Sequence, residues 1–399
     1  MLLKETLREI VHLQRDELKM LPIGVSREEL AHIDLNNPFI TIISGVRRCG
    51  KSTLLRQLMN QVSCFYYFNF EDPRAMQFEV SDFEKLNQVF AGEFGECVYY
   101  FFDEIQNVPE WERFVRRLHD LGKRVFITGS NASLLSRELG DRLTGRHLTL
   151  ELFPFSYHEM LKLTESKPSS DSFQKYLEDG GFPEFLKYKD NRILHQLFQD
   201  IISRDIFTRH QIRDQKIFLE MAIYLITNVG NEFSYNRLKN QFGLGSTNTV
   251  ISYLSFLEDS YLLFLVPKFS YSYAKQRSFS RKIYAIDTGM SRANTASLTP
   301  DMGRFLENFV FLHLRKSGRE VFYYKNQSEC DFIVKEKNKI IQAIQVCYKL
   351  TEENLQREVK GLQEALKETR AEEGLIITPD QKDEFEGIPV LPAREFIGS

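Results

Sequence analysis

The string Gly45-Val-Arg-Arg-Cys-Gly-Lys-Ser52 constrains this chain more than any other feature of its sequence. It fits the pattern G-x-x-x-x-G-K-[ST], follows the apolar run Phe39–Ile43 and opens a helix-like stretch at Thr53. A glycine-rich turn between a strand and a helix can wrap a phosphate chain with its backbone N–H groups. The pattern therefore predicts a nucleotide-binding loop, with a chance match in a glycine loop as the alternative.

The residues of this loop have expected roles in holding ATP and Mg²⁺. The ammonium of Lys51 would reach the β- and γ-phosphates, and the hydroxyl of Ser52 would be a Mg²⁺ ligand. ATP and Mg²⁺ are therefore the expected cofactors. The residues expected to surround the phosphates are Gly45, Val46, Arg47, Arg48, Cys49, Gly50, Lys51, Ser52 and Thr53.

Two acids follow another apolar run, Val98–Phe102. They are Asp103 and Glu104. Their position suits a binding site, because ligands bind at the carboxyl ends of strands in α/β sheets. We expect Asp103 to hold the water shell of the metal and Glu104 to orient and polarise the attacking water as the general base. Two solvated loop acids are the alternative.

A further run, Val125–Thr128, ends in small polar residues that include Ser130 and Asn131. Either of these two side chains could contact the γ-phosphate or the attacking water. A turn that caps the next helix explains them equally well, because Ser and Asn favour both positions. Both interpretations stay open at this point.

Strand-like and helix-like stretches alternate from Pro38 to Thr128. This alternation predicts an α/β P-loop NTPase core with a parallel sheet, over residues 1–150 together with N-terminal helices. Residues 151–212 are mostly helical and are expected to form a lid. The predicted strands are Phe39–Ile43, Phe65–Phe70, Cys97–Phe102 and Arg124–Thr128.

Residues 213–290 are expected to form a winged-helix-like domain, because two helical stretches flank the turn Gly243–Gly245. The second stretch, Ser246–Asp259, has no Lys or Arg, which disfavours reading of a DNA groove by that helix. The segment Tyr261–Ile286 has no acid and interleaves basic with aromatic residues, which could contact phosphates and stack on bases. A hairpin with aromatic core residues and solvated bases is the alternative. The candidate DNA contacts are Lys268, Lys275, Arg277, Arg281 and Lys282.

Residues 300–399 are expected to form an α/β domain whose element order resembles the core of PD-(D/E)XK nucleases. That chemistry uses carboxylates to hold Mg²⁺ and a lysine to steady the attacking water. Glu307 and Asp331 stand at carboxylate positions, but Gln345 and Cys347 replace the expected glutamate and lysine. We therefore expect a nuclease-like scaffold without nuclease activity, which binds DNA or a partner or serves only for packing.

Composition excludes several classes of protein. The 52 Lys and Arg against 55 Asp and Glu give a net charge of -3, so any contact with DNA must come from a local patch. Apolar runs are far shorter than the ~20 residues that span a bilayer, so no membrane contact is expected. The 5 cysteines lack C-x-x-C spacing, which predicts neither a zinc site nor a disulfide framework and fits a reducing cytoplasm.

The order of Gly45–Ser52, Asp103–Glu104 and Thr128–Asn131 resembles an AAA+-type ATPase. Further short strings resemble a widespread prokaryotic ATPase family that joins a P-loop domain to a C-terminal domain of unknown function similar to PD-(D/E)XK nucleases. These strings are Ser44–Thr53, Phe68–Arg74, Thr144–Arg146, Leu152–Glu159, Gly180–Glu184 and Lys282–Gly289.

The resemblance implies a homo-oligomer in which an arginine of one subunit approaches the γ-phosphate of the next. Arg142 and Arg146 are the candidates, with a surface ion pair as the alternative, and Arg204 is a candidate sensor in the lid. The expected function is ATP binding and hydrolysis by an oligomer that acts on or binds DNA. The alternatives are a nucleotide-gated switch that binds a protein partner and an ATP-controlled nuclease.

Overall fold

The structure is a computed structural model that describes residues 1–130, 143, 145–295 and 301–398. The predicted site residues Asn131 and Arg142 lie outside this described part. The chain divides into two compact units, Met1–Lys162 and Leu163–Ser399. The finer domain boundaries near residues 150, 212, 290 and 300 stay a prediction.

The first unit is built on a parallel sheet of five described strands in the order β2-β3-β4-β1-β5. The predicted α/β core with a parallel sheet is confirmed. All residues of the interior strand β1 are buried, as expected inside a parallel sheet. The edge strand β5 was not predicted, because it lacks a continuous apolar run and none of its residues is fully buried. The strands are β1 (Ile40–Ser44), β2 (Phe65–Asn69), β3 (Tyr99–Asp103), β4 (Arg124–Gly129) and β5 (His147–Glu151).

The N-terminal helix α1 belongs to the first unit. Its Gln14 accepts a hydrogen bond from the N–H of Asn69 at 2.9 Å and donates one to the carbonyl of the same residue at 3.1 Å. This pair extends the hydrogen bonding of β2 into the helix, so the start of the chain is fixed to the sheet. The helices are α1 (Lys4–Met20), α2 (Lys51–Met59), α3 (Asp82–Phe94), α4 (Trp111–Asp120) and Tyr157–Thr164, with 3₁₀ turns at Glu28–His32, Pro73–Ala75 and Ile105–Asn107.

A disulfide joins Cys64 and Cys97, whose Cα atoms are 5.5 Å apart. The two cysteines precede β2 and β3, which pair in parallel from Phe65 and Tyr99 onward. The prediction of no disulfide framework is therefore wrong for this pair. Sequence spacing gave no signal, because the pairing of two strands brings these cysteines together across 33 residues.

The first half of the second unit is helical and contains a small antiparallel sheet in the order β6-β8-β7. Two helices, Tyr235–Gln241 and Thr247–Asp259, lie between β6 and β7 in the chain. The winged-helix interpretation of this region stays a prediction. The strands are β6 (Glu232–Phe233), β7 (Leu263–Pro267) and β8 (Arg281–Ala285). The other helices are Ser170–Asp179, Pro183–Tyr188, Asn191–Asp200, the π-helix Ile201–Phe207, Gln215–Ile226, Tyr273–Ser278 and Thr288–Asn294.

Two of the family-like strings meet in this unit. The buried carboxylate of Asp287 accepts hydrogen bonds from the N–H groups of Gly181 at 2.6 Å and Met290 at 2.8 Å. Gly180 has φ +70°, and a Cβ placed on it would lie 2.2 Å from Asp287 Oδ1. Glycine is therefore required here by both backbone conformation and space. The strings Gly180–Glu184 and Lys282–Gly289 thus have a packing role.

The C-terminal region holds a described six-stranded mixed sheet in the order β13-β14-β12-β11-β10-β9. Helices and strands both contribute to this region, which is therefore of the α/β class. The resemblance to nucleases stays a prediction. Among the described residues, no helix has the length and apolar character to cross a membrane. The elements are helix Met302–Lys316, β9 (Glu320–Lys325), β10 (Glu329–Glu336), β11 (Lys339–Val346), helix Glu352–Thr369, β12 (Glu373–Thr378), β13 (Asp383–Phe385), β14 (Ile388–Pro392) and helix Ala393–Phe396.

Candidate functional site

The predicted phosphate loop joins the end of β1 to the start of α2. Gly45 has no room for a side chain, because a Cβ there would lie 2.1 Å from the carbonyl oxygen of Leu152. Gly50 has φ +104°, a conformation that glycine adopts without strain, and α2 begins at the next residue. Both glycines of the pattern are therefore required by the loop geometry, and the helix N-terminus follows the loop directly.

Lys51 lies inside the loop rather than in solvent. Its side chain is 5% exposed, and its ammonium donates to the carbonyls of Gly45 at 3.1 Å and Val46 at 3.2 Å. The same ammonium lies 3.5 Å from Glu104 Oε1. The positive charge is thus placed between the loop and the end of β3, and its contact with the β- and γ-phosphates stays a prediction.

Asp103 ends β3 and is almost completely buried. It accepts hydrogen bonds from the hydroxyls of Thr128 and Ser52. Burial and the repulsion of Glu104 raise the pKa of Asp103 to about 6, against the opposing effects of these hydrogen bonds and of Lys51. A buried carboxylate with a raised pKa lacks sufficient compensating positive charge.

These groups fit a Mg²⁺ ion. The hydroxyl of Ser52 and the carboxylate of Asp103 bring two oxygen donors together, and Mg²⁺ prefers one or two protein oxygens shared with phosphates and water. The described residues offer no group of three or more Cys, His, Asp and Glu side chains arranged for a metal. Phosphate oxygens would therefore have to complete the coordination.

Glu104 occupies a left-handed turn with φ +51° directly after β3. Such a conformation is costly for a residue other than glycine and is often found at functional sites. The backbone N–H of Glu104 donates to Thr128 Oγ1 at 2.9 Å, which fixes the turn to β4. Its carboxylate accepts a hydrogen bond from Gln106. Thr128 and Gln106 position the predicted base, and sequence reasoning assigned this role to neither.

Ser130 follows β4 and is 2% exposed. Its hydroxyl makes no hydrogen bond with any residue that the structure describes. A buried hydroxyl without a partner is costly, so a polar group of a ligand at this edge of the sheet would satisfy it. The choice between ligand contact and a turn role stays open for Ser130.

Arg27 is a site residue that sequence reasoning missed. Its guanidinium is completely buried and donates to the carbonyls of Cys49 at 2.6 Å and Phe153 at 2.8 Å. The phosphate loop is thereby connected to the segment that follows β5. The signal was weak, since an isolated arginine in an irregular stretch gives no indication of partners so far along the chain.

The third partner of Arg27 is Glu159, whose side chain is also completely buried and lies 2.7 Å from Nε. Glu159 further accepts the N–H groups of Glu28 at 2.9 Å and Ser156 at 2.8 Å. Burial alone would lower the pKa of Arg27, but the attraction of Glu159 and Glu29 raises it. The string Leu152–Glu159 therefore supplies two of the groups that hold Arg27 against the loop.

Two of the arginines predicted to act at the γ-phosphate, Arg146 and Arg204, are described by the structure. Neither lies beside the phosphate loop within the first unit. The carbonyl of Arg146 accepts from the N–H of Ile40, so Arg146 lies at the amino end of β1, opposite the loop. Its guanidinium lies 3.5 Å from Asp120. Arg204 lies on the π-helix Ile201–Phe207 in the second unit, and its role as a sensor stays a prediction.

The basic residues that were predicted to contact DNA have different surroundings. Lys282 is 3% exposed and its ammonium faces carboxylates, so it has no access to a DNA phosphate and its assignment is wrong. Arg281 donates to the hydroxyl of Tyr235 at 2.8 Å. Lys268 lies 4.9 Å above the ring of Phe279. Lys275 lies on the exposed helix Tyr273–Ser278, and the side chain of Arg277 lies outside the described part.

The nuclease-like residues gather around one cavity of about 810 Å³. Glu307, Asp331 and Gln345 all line it, and their resemblance to a nuclease site stays a prediction. Gln345 donates to Glu358 at 2.6 Å. Cys347 is buried beside the end of β11, where burial raises the pKa of its thiol. No described lysine from β11 reaches this cavity.

Family comparisons cover the chain in three segments. Residues 37–161 match the family described as AAA domain. Residues 170–300 and 302–396 match two families that are each described as a domain of unknown function, DUF8612 and DUF4143.

Similar proteins extend over most of the chain. The "Uncharacterized protein MJ1544" of Methanocaldococcus jannaschii is 37% identical over 380 residues, which covers 88% of this chain and 84% of that protein. An "Uncharacterized protein" of Haemophilus influenzae is 30% identical over 335 residues, or 79% of this chain and 84% of that protein.

Among solved structures, a chain of "Structure of Drosophila ORC bound to AT-rich DNA and Cdc6" aligns over 72% of this chain and 92% of its own, with 12% identity and a TM-score of 0.23. That similarity is too low to carry an argument. The match to the M. jannaschii protein is decisive: the chain belongs to the same family as MJ1544, with an AAA-type, P-loop ATPase-like domain followed by two domains of unknown function.

Proposed function

We propose that this protein binds ATP together with Mg²⁺ and hydrolyses the bond between the β- and γ-phosphates. The proposed site lies at the carboxyl ends of β1 and β3. One observation carries the proposal: Ser52 meets Asp103 while the ammonium of Lys51 lies 3.5 Å from Glu104. Loop, metal ligands and base are thus side by side, which is the set that phosphoryl transfer to water requires.

Each side chain has a distinct role in this proposal. Mg²⁺, held by Ser52 and Asp103, would neutralise charge on the phosphates. Lys51 would exchange its loop carbonyls for phosphate oxygens and stabilise the charge that develops during transfer. Glu104 would accept a hydrogen bond from the attacking water and orient it. Ser130, whose hydroxyl makes no hydrogen bond within the described part of the chain, would hold a phosphate oxygen or that water.

We further propose that the active form is an oligomer in which Arg146 serves the site of a neighbouring subunit. Arg146 lies at the opposite end of β1 from its own loop, about 15 Å away at ~3.3 Å per residue. It cannot reach its own γ-phosphate from there. A second copy could pack the sheet edge that carries its phosphate loop against the edge that carries Arg146. The guanidinium of Arg146 would then leave Asp120 and contact the γ-phosphate bound to the second copy.

DNA is the proposed macromolecular ligand, and the segment between β7 and β8 is the proposed contact. Tyr271 and Tyr273 are 73% and 74% exposed, large fractions for aromatic side chains. Lys268 and Lys275 accompany them on the same segment, which suits phosphate contact with base stacking. A winged helix would place its wing here. The helix Thr247–Asp259 carries no basic residue and would contribute little.

Steady-state ATP hydrolysis by the full chain, with and without single- and double-stranded DNA at two salt concentrations, tests these proposals. Lys51→Ala should lose turnover. DNA should stimulate the wild type, less at high salt, and Lys268→Glu with Lys275→Glu should lose that stimulation. The matched control replaces two exposed lysines elsewhere, Lys339→Glu with Lys382→Glu.

The outcomes separate the alternatives. Turnover that DNA leaves unchanged would refute the DNA proposal and favour a nucleotide-gated switch that binds a protein partner. Turnover that survives in Lys51→Ala would refute the proposed ATPase site itself.

A further inference from the structure

Three carboxylates that line the cavity in the C-terminal region contact a lysine from another sheet. Lys282 lies on β8, yet its ammonium is 3.0 Å from Glu307 Oε1, 2.9 Å from Glu329 Oε1 and 3.0 Å from Asp331 Oδ1. Its side chain is 3% exposed. An ammonium has three N–H donors, so these three carboxylates use all of them.

Each carboxylate of the cluster has a further partner. Tyr284 donates at 2.7 Å to Glu307 Oε1, the oxygen that also contacts the ammonium, and the N–H of Val346 donates to Asp331 Oδ2 at 3.0 Å. Lys325 lies 3.4 Å from Glu329 Oε2. These further contacts distinguish the cluster from a loose group of surface acids.

The nuclease-like resemblance would place Mg²⁺ among Glu307, Asp331 and Gln345, and the residues present do not fit that ion. Mg²⁺ requires oxygens at about 2.0–2.1 Å, and Glu307 Oε1 and Asp331 Oδ1 already contact the ammonium. A divalent cation beside Lys282 would meet strong like-charge repulsion. Gln345 offers one neutral oxygen, which accepts no hydrogen bond from any described residue.

The protonation of this cluster is consistent with a charged lysine. Burial alone would lower the pKa of Lys282, but the attraction of Asp331, Tyr284 and Glu307 raises it well above its usual value. Burial and the repulsion of Asp331 raise the pKa of Glu307 to about 7. The lysine thus stays an ammonium at neutral pH.

We propose that the ammonium of Lys282 is the resident cation of the three carboxylates at the wall of this cavity, in the place where a divalent metal would stand, and that it joins β8 to the C-terminal sheet. The C-terminal region then acts as a binding or connecting domain. The positive charge among its carboxylates comes from a lysine side chain and not from a metal ion. This inference is independent of the proposed ATPase activity.

Mn²⁺ binding by the nucleotide-free full chain tests the proposal. MnCl₂ is titrated, and free Mn²⁺ is followed by its electron paramagnetic resonance signal. Wild type and Asp331→Asn should bind the same amount, because any site elsewhere is common to both. A wild type that binds one Mn²⁺ more than Asp331→Asn would overturn the proposal.

Lys282→Met removes the charge and keeps an unbranched side chain. Three carboxylates are then left without their ammonium, so the melting temperature should fall by several degrees, and Mn²⁺ should raise it again. The double variant Lys282→Met with Asp331→Asn should not respond to Mn²⁺.

Lys325→Met is the matched control, because this lysine pairs with Glu232 and Glu329 but is 44% exposed. It should gain no Mn²⁺ site. A Lys282→Met protein that melts like the wild type, or that folds without gaining a Mn²⁺ site, would contradict the proposal. Should Lys282→Met fail to fold, the comparison of wild type with Asp331→Asn decides alone.

Discussion

Arg27→Met tests whether the buried ion pair behind the phosphate loop holds the first unit together. Both side chains of the Arg27–Glu159 pair are completely buried. Removal of one partner leaves an uncompensated buried charge, which costs about 3–5 kcal/mol. The carbonyls of Cys49 and Phe153 lose their donor as well. At roughly 2–4 °C per kcal/mol for a unit of this size, the melting temperature should fall by about 6–20 °C.

The assay is guanidinium and thermal unfolding of the full chain followed by tryptophan fluorescence. The sequence has 1 tryptophan, Trp111, which is 3% exposed within the first unit and reports on that unit alone. Arg8→Met is the matched control, because Arg8 forms a short ion pair with Glu93 but is 47% exposed. An exposed pair of this kind contributes about 0–1 kcal/mol.

A double variant separates the ion pair from simple loss of packing. Arg27→Met with Glu159→Leu removes both charges, so part of the lost stability should return. The same reasoning predicts weaker ATP binding in Arg27→Met, because the carbonyl of Cys49 is released. An unfolding free energy within about 1 kcal/mol of that of Arg8→Met would refute the account.

Two further predictions concern the metal ligand and a glycine of the second unit. Because the pKa of Asp103 is raised to about 6, the carboxyl is neutral in acid and charged above that pH. MgATP affinity should therefore rise about tenfold from pH 5 to pH 7 relative to Asp103→Asn, as measured by fluorescent-nucleotide titration, and parallel profiles would contradict the assignment. Gly180→Ala should destabilise by about 1–3 kcal/mol more than Gly95→Ala. Both glycines share φ near +70° and ψ near -160°, but only Gly180 has Asp287 against its Cα; equal unfolding free energies would show that this contact is unimportant.

The core of the first unit was predictable from local pattern. The run Phe39–Ile43 and the glycines after it correspond to β1 (Ile40–Ser44) and the loop, because a buried parallel strand is continuously apolar. Asp103 and Glu104 fall at the strand end for the same reason. The edge strand β5 was missed even though Leu148 and Leu150 alternate with polar residues, because it is only partly buried and lacks the continuous apolar run by which the other strands were recognised.

The missed residues have partners that sequence distance hides. Arg27 meets Glu159 across 132 residues, and no periodicity connects an irregular stretch to a distant helix. From the sequence, Lys282 was assigned as an exposed basic residue among aromatic residues, because the charge of a side chain does not reveal whether it is buried. Its three acids lie between 25 and 49 residues later, in elements that only the packing of two sheets brings together.

The most direct test of the central claim is ATP turnover by Glu104→Gln beside the wild type, with bound nucleotide quantified in the same samples. Glutamine keeps the size of the side chain and its contact with Gln106 but cannot act as a base. The account predicts that the variant retains ATP and hydrolyses it at least about 100-fold more slowly, the usual contribution of a general base. Wild-type turnover in Glu104→Gln, or failure of both proteins to bind ATP, would contradict it.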